Sequence, residues 1–266
     1  MDGNRRWAEN KKVDKIDGHK EGIETAKKIA IESHKIGTKN LTLYAFSFQN
    51  WNRPKIEVES LFQLFTDLFE DKSKFFKENG FVFNPIGRLD ELSSLMKKKI
   101  FRLHENTMGN KGLIINVAIN YGGQEEIVDT LKKISFAGID LNSLDVDLLK
   151  KFSYLPKAPD PELIIRTGGH SRISNFLNLH NSYSEIIVSS KLWPDFTLED
   201  FHLIIKEYKF NFSNVIVGKV VKCVNHPNAD KLKLCEVDIG NETEEIAVSY
   251  THLRAHETGR NLVCRL

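Results

Sequence analysis

The first residues of the chain, Met1-Asp2-Gly3-Asn4-Arg5-Arg6-Trp7, put one carboxylate, one glycine and two guanidinium groups within a few positions. A carboxylate can hold a magnesium ion, paired arginine N–H groups can hold a diphosphate, and a glycine lets the backbone approach the anion. A second set stands far along the chain in Ile165-Arg166-Thr167-Gly168-Gly169-His170-Ser171-Arg172-Ile173-Ser174-Asn175-Phe176. Two arginines six apart across a Gly-Gly turn can converge on one diphosphate as bidentate donors. Two further stretches hold polar groups beside aromatic ones: Gly18-His19-Lys20-Glu21-Gly22, and Tyr44-Ala45-Phe46-Ser47-Phe48-Gln49-Asn50-Trp51-Asn52-Arg53-Pro54. Short basic runs are commonly solvated surface, so their meaning depends on the elements that present them.

Those elements read as an alternation of helix and strand. Ile23, Ala26, Ile29, Ala30 and Ser33 recur at helical spacing from Lys20 to Ile36, and Leu41 to Phe46 is a short buried strand after the Gly37 stop signal. The span from Ile56 to Phe76 is helical by period, with a wide apolar face of Leu61, Phe62, Leu64, Phe65, Leu68, Phe69, Phe75 and Phe76 that reads as core. Residues 81–87 and 112–119 predict strands, residues 91–106 and 124–134 helices, with Asn120-Tyr121-Gly122-Gly123 turning from strand into helix. A proline-punctuated loop, 156–161, leads to a strand at 162–165 that delivers Arg166 to its carboxyl end, where open α/β folds place ligands. Ile186-Ile187-Val188 adds a strand and residues 198–208 a helix. The expected class is α/β, a mostly parallel central sheet flanked by helices.

The 266 residues, 41% hydrophobic, allow one substantial core and a small appendage. A balance of 38 basic and 36 acidic side chains argues against a general polyanion partner, so any basic function is local. Cys223, Cys235 and Cys264 make an odd set without a disulfide framework, which together with the lack of a signal-peptide core or a long apolar run points to the cytoplasm.

These motifs, with Leu192-Trp193-Pro194-Asp195-Phe196, resemble in order and spacing the cis-prenyltransferase family of isoprenyl transferases over residues 1–209. The resemblance implies condensation of isopentenyl diphosphate onto farnesyl diphosphate in Z configuration, giving a long-chain polyprenyl diphosphate such as the undecaprenyl cell-wall carrier. It implies Mg2+ on Asp2, with Gly3, Asn4, Arg5, Arg6, Trp7, Lys15 and His19 around the allylic diphosphate. Ser47, Asn50, Trp51 and Arg53 match the loop where isopentenyl diphosphate and proton removal meet, Asn50 being a catalytic candidate beside Asp2. Arg166, Arg172 and Ser174 match the isopentenyl diphosphate clamp, and Glu185 a magnesium-associated position contributed across a homodimer interface. The 56–76 helix would line an apolar tunnel for the growing tail, and product delivery implies peripheral membrane contact. His170 and Ser171 depart from the family pattern after the double glycine, as do Arg5, where glycine is common, and Lys15, where arginine is frequent. The family has an apolar strand before the Asp-Gly-Asn run, so the N-terminus reads as truncated or as an internal start.

After Lys209 the pattern changes. Residues 210–248, with His226-Pro227-Asn228-Ala229-Asp230-Lys231-Leu232, resemble part of the tRNA-binding OB module of the phenylalanyl-tRNA synthetase β chain. Two strands and part of a third are expected, too few to close a five-stranded barrel, so tRNA binding is not expected. Residues 249–266 resemble translated sequencing-adapter DNA and are expected to be unstructured or artefactual; His252, His256 and Cys264 imitate a zinc site without a core pattern to hold it. Two other readings stay open, a tRNA-binding protein acting through the OB-like segment and an inactive chimaeric or truncated frame. Product length and oligomeric state are open as well.

Overall fold

In a computed structural model of the chain, described over residues 1–71, 73–213, 217–225, 227, 232–238, 243–249 and 262–263, two compact units form, Met1–His202 and Leu203–Leu266. In the first unit the helices and strands alternate as α1 (Asn4–Lys11), α2 (Lys15–Lys35), β1 (Asn40–Ser47), α3 (Lys55–Asp71), α4 (Ser73–Asn79), β2 (Val82–Ile86), α5 (Ser94–Thr107), β3 (Ile114–Tyr121), α6 (Gly123–Phe136), α7 (Val146–Lys151), β4 (Leu163–Arg166) and β5 (Glu185–Val188), and α8 (Leu198–Ser213) crosses into the second. The predicted 56–76 helix is therefore two helices, and the helix predicted from Lys20 begins a turn earlier, after Asp14.

All strands of the first unit run parallel, but in two sheets, β1-β3-β2 and β4-β5, where one central sheet is expected. Parallel strands need covered crossovers, and β3 in the middle is accordingly buried along most of its length. A polar rung fixes the register. Asn116 of β3, 1% exposed, donates to Thr42 Oγ1 at 3.2 Å and accepts from Asn84 Nδ2 at 2.7 Å, and these three residues stand opposite one another in β1, β3 and β2. Around the sheet Phe46, Phe76, Phe81, Phe83, Met96, Ile100 and Ile115 form the main core.

The short α1 packs on α2 because two glycines one turn apart leave room for it. A Cβ on Gly18 would lie 2.2 Å from the Asn4 carbonyl oxygen, and one on Gly22 2.3 Å from Asn4 Oδ1. The Leu-Trp-Pro-Asp-Phe motif closes this corner: the Trp193 indole donates to the Gly22 carbonyl at 2.7 Å and the Trp193 N–H to the Asp2 carbonyl at 3.0 Å.

In the second unit β6 (Val217–Asn225), β7 (Leu232–Asp238), β8 (Thr243–Ser249) and β9 (Leu262–Val263) form an antiparallel sheet in the order β8-β7-β6-β9. The third strand is a full partner of β7, from Leu232 opposite Ser249 to Asp238 opposite Thr243, so the sheet is larger than the alternation to residue 248 predicts. Apart from Pro227 the residues of the His-Pro-Asn-Ala-Asp-Lys turn, and His252, His256 and Cys264, lie outside the described residues.

Candidate active site

The carboxyl ends of β1, β3 and β4 bring Ser47, Tyr121 and Arg166 to the edges where ligands bind in open α/β folds. Arg166 joins the two ends of the motif set. Its Nη2 donates to Asp2 Oδ2 at 3.0 Å, while Nη1 donates to Ser174 Oγ at 2.7 Å and to the Arg172 carbonyl oxygen. Arg172 thus reaches this hub through its backbone, and its side chain is exposed. Asp2 is pinned at its backbone as well: its N–H donates to Thr167 Oγ1 at 3.0 Å, and that hydroxyl donates to the Asp2 carbonyl at 2.9 Å. Burial raises the Asp2 carboxyl, but the hydrogen bond and charge of Arg166, with Arg6 beyond, outweigh it and hold the group below the usual carboxylate range. Arg6 Nη2 stands 3.5 Å from Asp2 Oδ1 and lies over Gly168, whose φ of 85° and lack of a side chain make the approach possible; a Cβ there would be 2.4 Å from it.

A second group of cations surrounds one carboxylate that sequence reasoning did not single out. Glu57, in the first turn of α3, stands 3.4 Å from Arg5 Nε, 3.6 Å from Lys15 Nζ and 3.4 Å from Arg53 Nη1. Its spacing four residues after Arg53, the i,i+4 relation of a helical ion pair, was the available signal. Several buried polar atoms in this region have no hydrogen-bond partner: the donors Arg5 Nε and Arg6 Nη2, the ring nitrogen His19 Nε2 and the acceptor Asn4 Oδ1. The first two have only their ion-pair neighbours. Burial, with the charge of Arg53, pushes the His19 imidazole down to about 4, so it is neutral at physiological pH.

The turn after β1 holds the other predicted residues. Asn50 Oδ1 accepts the Ser47 N–H at 3.0 Å, capping the Phe48–Asn52 turn, and Trp51 donates to Asn120 Oδ1 at 2.6 Å while stacking on Phe62. Trp7 points its indole N–H to Asp195 Oδ1 at 2.8 Å, a tie between α1 and the Trp-Pro-Asp turn. Glu185 is not brought to Asp2 within the chain. It begins β5 opposite Leu163, three residues from the Arg166–Val188 pair and so about 10 Å along the strand from it.

Beside Asn4 and His19 opens an apolar cavity of about 140 Å³, continuous with solvent. Met1, Asn4 and His19 line it, along with Ala26 and Ala30 of α2, Leu43 of β1 and Phe65, Phe75 and Phe76 from α3 and α4. The predicted long helix does line an apolar space, although the side chains of Leu68 and Phe69 lie outside the described residues. Among the described residues no group of three or more His, Cys, Asp or Glu could hold a metal, and no helix is long and apolar enough to cross a membrane.

Comparison with known proteins gives this geometry its context. A family model described as "Putative undecaprenyl diphosphate synthase" matches residues 1–214, and one described as "Putative tRNA binding domain" matches residues 215–264. The isoprenyl transferase of Clostridium tetani is 40% identical over 213 residues, covering 79% of this chain and 84% of the relative. The ditrans,polycis-undecaprenyl-diphosphate synthase ((2E,6E)-farnesyl-diphosphate specific) of Micrococcus luteus is 39% identical over 213 residues, covering 79% and 86%. Among solved structures, lavandulyl diphosphate synthase from Lavandula x intermedia, in complex with dimethylallyl diphosphate, superposes with a TM-score of 0.75 at 28% identity, over 79% of this chain and 92% of that one. A probable undecaprenyl diphosphate synthase from Campylobacter jejuni gives 0.66 at 33% identity, over 71% and 89%. Matched by the family model over most of its length and by relatives at this identity, the chain belongs to the cis-prenyltransferase family of isoprenyl transferases.

Proposed function

We propose that the chain joins isopentenyl diphosphate to farnesyl diphosphate in Z configuration, releasing diphosphate and building a long-chain polyprenyl diphosphate such as undecaprenyl diphosphate. The observation that carries this is the set of buried nitrogens of Arg5, Arg6 and His19 without a hydrogen-bond partner, with His19 lining an apolar cavity and Arg166 bonded to Ser174. Buried donors without partners are costly, and an anion satisfies them. The allylic diphosphate sits on Gly3, Asn4, Arg5 and Arg6, with Lys15 and Arg53 adding charge and its tail in the cavity. Neutral His19 offers the diphosphate a hydrogen bond. The isopentenyl diphosphate is gripped by Arg166, Ser174 and the exposed guanidinium of Arg172.

The reaction breaks the allylic C–O bond and forms a bond from the isopentenyl terminal carbon to the allylic carbon, after which a proton leaves the isopentenyl unit. Fixed cations that meet charge developing on the departing diphosphate lower the barrier without covalent chemistry. Asn50, on the turn after β1, orients the isopentenyl unit for proton loss, and Trp51 closes that side.

A lone carboxylate beside two guanidinium groups fits a magnesium ion that arrives with a diphosphate, since Mg2+ is commonly held by one or two carboxylates plus substrate phosphates. Bound on Asp2, it would supply further charge neutralisation at the leaving group. Glu185 serves the site of a second copy; the other face of its strand carries Ile186 and Val188, 46% and 36% exposed, next to Tyr183 at 91%, apolar surface available to a homodimer. Product release calls for peripheral membrane contact.

Long-chain product from farnesyl and labelled isopentenyl diphosphate with magnesium, lost on adding excess chelator, is the expected result for the purified chain. Asp2→Ala should abolish it with the fold retained; normal turnover by that variant refutes the role given to the first loop. A second reading, RNA binding by the second unit, is favoured by the family match over residues 215–264. It expects tRNA affinity that falls steeply with salt, and absence of such binding removes it.

A further inference from the structure

The turn that presents Ser174 is in a backbone conformation that it cannot hold by itself. Ser174, Asn175 and Leu177 have φ of 49°, 60° and 53°, three non-glycine residues in the left-handed region within four positions. Such residues are disfavoured unless their surroundings fix them, asparagine least so.

The fixing comes from the Asn120-Tyr121-Gly122-Gly123 stretch and the first turn of α6. The Asn175 carbonyl accepts the Gly123 N–H at 2.7 Å, and its side-chain Oδ1 accepts the Gln124 N–H at 2.8 Å, so Asn175 satisfies two of the free donors at the start of the helix. Its Nδ2 donates to Glu125 Oε2 at 2.8 Å. The Leu177 N–H donates to the Tyr121 hydroxyl at 3.2 Å, which in turn donates to the wholly buried Glu126 at 2.5 Å. Both glycines are needed for this docking. A Cβ on Gly122 would lie 2.7 Å from Asn175 Nδ2, and one on Gly123 2.8 Å from the Asn178 backbone nitrogen.

We propose that Asn175 is a positioning residue for the second diphosphate: docked on the first turn of α6, it sets the 172–177 turn so that Ser174 Oγ and the Arg172 carbonyl hold Arg166 in its bridge to Asp2. This rests on the function proposed above. It differs from a merely structural role because the docked turn touches Arg166 directly, whereas the backbone of the first loop is held by Thr167, Trp193 and the packing of Asn4 on α2, none of which belongs to the turn.

The test uses the full chain. Asn175→Gly keeps the left-handed backbone and removes the side-chain ties; it should raise the KM for isopentenyl diphosphate about tenfold, leave the KM for farnesyl diphosphate within about twofold, and move the thermal midpoint little. Asn175→Asp sets two carboxylates against each other and should do the same, while Asn175→Asp with Glu125→Gln restores a hydrogen bond in reversed sense and should recover most of the loss. Unchanged KM values, equal rises for both substrates, or no recovery in the double variant overturn the proposal. Should the wild-type chain form no polyprenyl product, the functional reading fails separately. Inorganic pyrophosphate titration then decides: weakening by about tenfold in both Asn175→Gly and Arg166→Ala supports the positioning role, and unchanged affinity in Asn175→Gly refutes it.

Discussion

Replacing Glu57 by glutamine removes the one negative charge shared by Arg5, Lys15 and Arg53 and changes the side-chain shape little. Its carboxylate is 11% exposed and its three partners 39%, 45% and 25%, so each ion pair is partly screened. Pairs of this kind are worth about 0.2 to 1 kcal/mol each, which makes the expected loss of stability about 1 to 2 kcal/mol and the drop in thermal midpoint a few degrees. Anion binding should move the other way. With one guanidinium between them, Glu57 and a bound diphosphate would stand roughly 7 Å apart, and at an effective dielectric constant between about 20 and 80 their repulsion is on the order of 1 to 2 kcal/mol. Glu57→Gln should therefore bind pyrophosphate roughly five- to thirtyfold more tightly at low salt, the gain shrinking as salt is added. Calorimetric titration of the wild type and variant at two ionic strengths, beside a melting curve, reads both effects. Weaker pyrophosphate binding by a variant that is still folded would refute the reasoning, because it would mean that Glu57 arranges the cations for the anion instead of competing with it.

The neutral His19 gives a pH dependence of defined sign. The unfolded chain takes up a proton below the ordinary value of 6.5 and the folded chain only near 4, so stability should fall as pH drops between these values and this contribution should be level above them. Denaturant melts across that range should show a shallower fall in His19→Asn; an unchanged slope would mean that His19 titrates normally. Gly22→Ala would push a methyl group to within 2.3 Å of Asn4 Oδ1 and 2.9 Å of the Trp193 ring. It should cost about 1 to 3 kcal/mol and weaken pyrophosphate binding by displacing α1, whereas Gly109→Ala, with open space around it, should do neither. Equal behaviour of the two variants in melting and titration would show that α1 does not need the close approach.

Most elements of the first unit, and their order, were determined by local sequence pattern, although not the short α7. Helical periodicity from Ile23 to Ser33 and the apolar runs at 41–46 and 112–119 predict α2, β1 and β3 because burial on one face or on both leaves a period that can be read locally. The placing of Arg166 at the carboxyl end of a strand was legible too, since it follows directly on an apolar run and a Gly-Gly turn comes soon after it. That the 56–76 span belongs to two helices, Lys55–Asp71 and Ser73–Asn79, was not legible, because the aromatic pattern runs on from one into the other.

Only the tertiary structure decided which charges meet. Asp2 and Arg166 are 164 residues apart and are joined because the backbone of Asp2 is pinned on Thr167, just beyond the end of β4. Glu57 became the shared partner of cations from α1, α2 and the turn after β1 through packing; its local spacing signals only the pair with Arg53. The same holds for Asn175, whose left-handed turn is held by a helix start some 50 residues earlier. Glu185 stands at the far end of its strand from Arg166, a separation set by register and strand rise. Local pattern is fixed by which face of an element is buried, whereas a site made of charges from distant segments exists only once packing has brought those segments to a common edge.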